Sequence, residues 1–142
     1  MKVFFDTNVI IDAITERNVS FKNSRNLIIK AANESIDGYI CSTQITDIYY
    51  ILRKYITDSN ARKMIIRSIL ETFKVLPLLP SDLQYVLNSK ITDFEDAILE
   101  EVAKVNMIKS IVTNNKKDFK ESTLTIYSPE ELNLLTGLDE YK

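Results

Sequence analysis

The sequence has no histidine, one cysteine (Cys41) and only two glycines, Gly38 and Gly137. Without histidine there is no imidazole general base, no Ser-His-Asp triad and no histidine-ligated zinc. One thiol can form neither an internal disulfide nor a thiolate metal site, and it fits a reducing compartment. Two isolated glycines exclude a Walker phosphate loop and a dinucleotide fingerprint alike. No segment reaches the roughly 18 apolar residues needed to span a bilayer. Asp6, Asn8 and Asp12 interrupt the apolar stretch that a signal peptide would need at the start. The expectation is a cytoplasmic protein with no membrane segment. A dominant charge of one sign is missing too: 18 basic and 20 acidic residues leave a net charge of -2. A broad basic face for gripping nucleic acid is therefore not expected. Carboxylates, lysines, hydroxyls and amides remain as the reactive inventory. The cations that suit carboxylates are hard and oxygen-loving, Mg²⁺ or Mn²⁺.

What is present reads as one domain over residues 1–142, 45% hydrophobic and 27% charged. A chain of this length buries about two-thirds of the surface its unfolded form exposes. Val3 to Phe5 is a short apolar strand, and Val9 to Ile14 has helical spacing with Asn8 as its expected N-cap. Ser24 to Ala32 is amphipathic. Asp37-Gly38 marks a turn before a strand at Tyr39 to Cys41. Ser42 or Thr43 then caps a helix with Ile45, Ile48, Tyr49 and Leu52 on its apolar line. Asp58 to Phe73 is a further helix. Val75 to Leu79 is a strand that Pro77 assigns to an edge. Helices at Pro80 to Leu87 and from Asp93 to Val105 follow, then strands at Ser110 to Thr113 and Leu124 to Tyr127. A helix at Pro129 to Leu135 comes last, before a fraying tail at Asp139-Glu140-Tyr141-Lys142. Alternation of this kind predicts an α/β domain: a mostly parallel central sheet of about five strands, with helices on both faces.

Four acids stand where such a fold places its ligands, beyond the carboxyl ends of the strands. Asp6 ends the first strand. Asp47 lies on the helix after the second strand, off its apolar line. Asp96 lies one turn into the helix that Asp93 begins, and Asp118 follows the fourth strand. Two carboxylates about 4 Å apart repel by roughly 4 kcal/mol at an effective dielectric of 20. A divalent cation removes that repulsion. It also lowers the pKa of water and polarises a phosphoryl oxygen.

Four segments carry a family resemblance. They are Asp6-Thr7-Asn8-Val9-Ile10-Ile11-Asp12, Ser42-Thr43-Gln44-Ile45-Thr46-Asp47, Asp93-Phe94-Glu95-Asp96-Ala97, and Val112-Thr113-Asn114-Asn115-Lys116-Lys117-Asp118-Phe119. In this order and spacing the chain resembles the PIN domain, and within it the small VapC-type toxin ribonucleases. The resemblance implies a PIN-like fold and a ribonuclease, most simply an endoribonuclease, working with Mg²⁺ or Mn²⁺. It carries over Asp6, Asp47, Asp96 and Asp118 as catalytic acids, with Asp6, Asp96 and Asp118 as metal ligands. Thr7, Asn8, Asp93, Thr113 and Asn115 are implied as supporting residues, and Lys116 and Lys117 as substrate contacts. RNA is the implied substrate, and a cognate antitoxin and a homodimer are the implied partners. One departure stands out: the second acid, often Glu in this family, is Asp47 here.

Each feature also has a plainer reading. Asp6 can be a turn or cap residue, and Asp47 a solvated helix acid. Asp93 reads best as an N-cap and Asp96 as the ligand. Asp118 reads equally as a cap of a short turn at Phe119 or as a site acid. Asp12 and Glu100 read as surface acids. Two basic groups, Lys116, Lys117 and Lys120, and Arg62, Lys63 and Arg67, are solvated faces or tracks for a phosphate backbone. Tyr49, Tyr50 and Tyr55 can stack bases, with Tyr49 assigned to the core. A phosphatase of the haloacid dehalogenase type is disfavoured because position 8 is Asn, and a receiver domain because its acids are not in place. The remaining alternative is a PIN-like module that binds RNA or protein without catalysis.

Overall fold

The computed structural model describes residues 1–137, so the tail at 139–142 lies outside the described residues. Five strands form one parallel sheet in the order β3-β2-β1-β4-β5, which puts the first strand at its centre. β1 (Lys2–Phe5) pairs with β2 (Asp37–Cys41) on one side and with β4 (Ser110–Val112) on the other. β3 (Lys74–Leu76) and β5 (Thr125–Tyr127) are the edges.

Side chains alternate across a strand, so β1 divides the core in two. Val3 and Phe5 pack under α1 (Thr7–Thr15), α2 (Phe21–Ala32), α3 (Ser42–Leu52), α4 (Ser59–Thr72) and the last helix, α7 (Pro129–Leu135). Phe4 points the other way, into a cluster with α5 (Pro80–Val86) and α6 (Phe94–Val105). Phe4 and Phe5 are completely buried, each worth about 1.5–3 kcal/mol of burial. Phe5 also meets Phe73 edge to face, with ring centroids 4.9 Å apart. With both faces covered and a central strand flanked by two crossovers, the crevice at the carboxyl end of β1 is the open position for a ligand.

Several expectations change in detail. The N-cap of α1 is Asp6, not Asn8: its carboxylate accepts from the Thr7 N–H at 2.8 Å. Asn8 is turned across to β4 instead, where its Oδ1 accepts from the Asn114 N–H. Asp37 and Gly38 are not a turn but the first residues of β2, opposite Lys2 and Val3. Gly38 is needed for close approach, since a Cβ there would stand 2.9 Å from the Phe73 ring. α3 follows β2 without a loop and is capped from Cys41. α2 begins earlier than its amphipathic stretch, at Phe21, and β3 ends at Leu76, before Pro77. Asp12 and Glu100 are buried rather than on the surface. Asp12 is held by Arg17 and Asn114, and Glu100 by Lys104 at 3.1 Å.

Candidate active site

The crevice is built outward from Asp6. β1 delivers it straight from the core, so it is only 7% exposed. Its backbone N–H continues the sheet by donating to Val112 O at 3.0 Å. Oδ1 takes the Thr7 N–H and Oδ2 takes the Thr113 hydroxyl at 2.7 Å. Thr113, itself fully buried, receives the Asn115 N–H at 3.0 Å and the Asn8 amide at 3.4 Å. Sequence-distant residues thus fix the orientation of one carboxylate.

Three more acids act on the same space. Asp93 caps α6, accepting from the Asp96 N–H at 2.9 Å. That bond sets Asp96 one turn into the helix, half-buried, with its charge felt together with those of Asp6, Asp93 and Asp118. Asp118 sits in a single 3₁₀ turn, Lys116–Phe119, and accepts from the Asn115 amide at 2.5 Å. Burial pushes the Asp6 carboxyl up to about 6 against the Thr113 and Thr7 hydrogen bonds, with the charges of Asp118 and Asp93 adding to the rise. Burial and then the Asp6, Asp93, Asp118 and Glu95 charges raise Asp96 to about 7. The charges that act on Asp6 and Asp96 are thus those of other acids, which crowd one another.

Two clefts meet at this point, sharing Phe94. One, of about 520 Å³, is bounded by Asp6, Thr7, Asp47, Tyr50, Phe94 and Asp96. Asp47 lies on its α3 wall and acts on Glu95, whose carboxyl is raised by burial first and then by Asp47 and Asp93. The other cleft, of about 500 Å³, holds Asp93 and Asp118 together with Lys90, Lys117 and Lys120. Lys116 is turned away to α7, where it pairs with Glu131 at 2.9 Å.

Gln44 belongs to the same framework, although its sequence position does not announce a role. It is buried, accepts from the Cys41 N–H at 2.7 Å, and donates to Phe5 O and to the Thr7 hydroxyl. One side chain thereby ties the start of α3 to the start of α1. The available signal is a Gln three residues after a helix cap, hidden because the cap is Cys41. Asn114 is likewise conspicuous only in the structure, where it links Asp12, Asn8 and the Ser20 hydroxyl. Of the second basic group, Arg62 is committed to structure: it donates to Ile56 O and Thr57 O and stacks on Tyr49.

The donor set fits a hard divalent cation in kind. It consists of carboxylate and hydroxyl oxygens, and the raised Asp6 and Asp96 carboxyls mark negative charge that a cation would relieve. Among the described residues, no three Asp, Glu or Cys side chains are grouped so as to hold one ion jointly. Mg²⁺ is commonly held by one or two carboxylates, with waters and substrate phosphate completing its shell.

Known proteins are similar to this chain in sequence and in fold. The chain is 27% identical over 135 residues to Ribonuclease VapC1 of Aquifex aeolicus (strain VF5), spanning 92% of each. Its fold is similar to a chain in VapBC2 from Rickettsia felis bound to a promoter DNA fragment, with a TM-score of 0.68 at 20% identity over 90% of this chain and 98% of that one. It is similar to a chain of FitAB bound to an IR36 DNA fragment, at 0.69 and 16% over 92% and 97%. A toxin-antitoxin complex from Klebsiella pneumoniae gives 0.64 and 20% over 89% and 97%. A family model of the PIN domain matches residues 2–117, from the start of β1 into the turn that carries Asp118. By that match, which spans the strand end, both acid-bearing helices and the Thr113 loop, the chain belongs to the PIN-domain family.

Proposed function

We propose that this protein is a metal-dependent endoribonuclease that hydrolyses phosphodiester bonds in RNA, and that it acts as the toxin of a toxin-antitoxin pair. The observation that carries the reading is the placement of Asp6 and Asp96 at the carboxyl end of the central strand, where burial first and then the charges of Asp93 and Asp118 raise both carboxyls. The 27% identity to Ribonuclease VapC1 over nearly the whole chain supports the same reaction class. The toxin-antitoxin complexes among its structural neighbours support an antitoxin partner, and a homodimer belongs to the same reading.

Asp6 and Asp96 would hold Mg²⁺ or Mn²⁺, with Asp118 and Asp47 completing the acidic surround. When bound, the ion supplies charge stabilisation at the phosphoryl group and a more acidic water. The protein supplies position. Thr113 and the Thr7 N–H keep the Asp6 oxygens aimed into the crevice. Asn115 restrains both Thr113 and Asp118. Asp93 sets the first turn of α6 and so the height of Asp96. Lys117, on the wall of the basic cleft, offers a contact to an incoming phosphate.

The test is cleavage of a mixed structured and single-stranded RNA pool by purified protein with Mg²⁺, with Mn²⁺ and with EDTA, together with Mn²⁺ titration calorimetry. Cleavage that needs the metal and is lost in Asp96→Asn is the expected result. No cleavage and no Mn²⁺ binding would replace this reading with a non-catalytic PIN module.

A further inference from the structure

Beyond Asp96, α6 carries two further acids, Glu100 and Glu101, that line neither cleft at the acid crevice. They face a separate cavity of about 350 Å³, walled by α6, the end of α5 and the chain before β5, with Tyr85, Lys90, Lys104 and Glu121 around them. None of Asp6, Asp47, Asp96 and Asp118 is among its walls, although Lys90 and Glu121 also border the basic cleft. Glu100 is the unusual member. Its side chain is 8% exposed, and Oε1 takes the Lys104 ammonium at 3.1 Å. Oε2 is buried and has no hydrogen-bond partner among the described residues. A carboxylate oxygen withdrawn from water and left unanswered is unfavourable. Lys104, a point charge on a partly exposed stem, answers one oxygen and is free to swing outward. Tyr85, 67% exposed, adds an aromatic ring to the α5 wall.

We infer that this cavity binds a guanidinium group, which takes the place of Lys104 on Glu100 and serves both carboxylate oxygens. A planar guanidinium donates two parallel N–H bonds to a carboxylate, which a single ammonium cannot do. It is also more weakly hydrated than an ammonium, so it enters a sheltered site more readily. The Tyr85 ring offers it an aromatic face. Glu101 stands three residues before Lys104, hence beside it on the helix, and receives the displaced ammonium. Other ligands fit less well. An anion would meet Glu100, Glu101 and Glu121, and among the described residues no three acidic side chains are grouped to hold one metal ion. The site is independent of the ribonuclease chemistry. A free guanidinium compound and the arginine side chain of a partner protein present the same chemistry to it.

The test is titration calorimetry on the full chain in EDTA. The probes are agmatine, a free guanidinium compound; cadaverine, a diamine of similar length; and the blocked peptide acetyl-Ala-Arg-Ala-amide. Agmatine should bind roughly tenfold more tightly than cadaverine. Glu100→Gln should weaken agmatine by roughly tenfold or more, and Tyr85→Ala by roughly threefold. Lys104→Met removes the competing ammonium and should tighten agmatine roughly tenfold. Its Tm, lowered by the loss of the ion pair, should rise with agmatine more than that of the wild type. Asp96→Asn should leave agmatine affinity unchanged, which separates this cavity from the acid crevice. Circular dichroism melts confirm that each variant is folded. Peptide affinity equal to that of agmatine assigns the site to an arginine side chain, and agmatine binding without peptide binding assigns it to a free small molecule. Equal affinity for agmatine and cadaverine, or no binding of either guanidinium probe, overturns the site. So does binding that is lost in Asp96→Asn but kept in folded Glu100→Gln. If Glu100→Gln does not fold, Lys104→Met decides, and agmatine affinity that fails to tighten overturns the site.

Discussion

Asp6 caps α1 and Asp12 lies within it, and both are buried, yet the protein treats them in opposite ways. Asp12, 2% exposed, receives the Arg17 guanidinium on one oxygen and the Asn114 amide on the other. Tyr55 contributes to the same group by hydrogen bonding to Arg17. Asp6, 7% exposed, receives the Thr7 N–H and the Thr113 hydroxyl, both neutral donors, and the charges that act on it are other carboxylates. A buried carboxylate is tolerable when it is paired and hydrogen-bonded, and costly when it is not. Asp12 is therefore a structural acid that ties α1 to the β4 loop, while Asp6 is held in an unfavourable state that a cation would resolve.

The sharpest way to break this contrast is to remove the uncompensated charge. Asp96→Asn, or Asp6→Asn, is expected to lower metal-dependent RNA cleavage by more than about 100-fold, since even outer-shell changes at metal sites cost 10–100-fold. The folded structure should survive, because the amide keeps the shape and one acceptor. Retained cleavage in either variant, measured by gel assay with Mn²⁺, would dismiss the acids as the site. Asp12→Ala should do the reverse. It strands the Asn114 amide and Arg17, and is expected to cost about 2 kcal/mol of stability in urea unfolding; the partly exposed guanidinium keeps the loss below that of a fully buried pair.

Of these two acids, one is legible in the sequence and the other misleads. Asp6 follows an apolar run, and the family motif around it is specific, so strand, crevice and acid can be read together. Asp12 reads as a surface acid because helical spacing alone does not reveal that Arg17 and Asn114 close over it. That closure joins residues about a hundred positions apart, Asp12 and Asn114. Glu100 misleads for the same reason: its burial comes from the packing of α6, not from its own neighbours in sequence. Element types and their order are recoverable from periodicity and from Pro and Asp caps. Gly38 is not, since a turn signal and a packing requirement look alike until Phe73 is seen over it.

Stability against pH sharpens the comparison next. Unfolded carboxyls titrate near 4, whereas folded Asp6 and Asp96 titrate at about 6 and about 7. Between these values the folded protein holds protons that the unfolded chain has lost. Their contribution is thus favourable at low pH and is lost as pH rises through 6 to 7. Glu131 works in the opposite sense, lowered to about 2 by the Ser128 N–H and Lys116, and its contribution fades only under acid conditions. From pH 5 to 8 the metal-free protein should therefore lose Tm through buried Asp6, and less through Asp96, whose partial exposure lets solvent screen its charge. Asp6→Asn should flatten that slope. Mn²⁺ should restore Tm at pH 8 far more than at pH 5, because it competes with protons for the same oxygens. Equal rescue at both pH values would place the bound ion elsewhere.

The smallest expected effect tests orientation rather than charge. Thr113 donates its hydroxyl to Asp6 and also gathers Asn115 and Asn8, so it joins β4 to the acid. Thr113→Val keeps the shape and burial but removes the donor. Asp6 then loses the strongest of the interactions that hold its carboxyl down, and its pKa should rise further. Cleavage at neutral pH is expected to fall roughly tenfold, in line with outer-shell changes at metal sites. The loss should shrink as pH is raised, because deprotonation is regained there. Thr113→Ser should restore both rate and pH profile. A valine variant that is slower by the same factor at every pH would mean that Thr113 acts only as packing, and that Asp6 is held by its backbone alone.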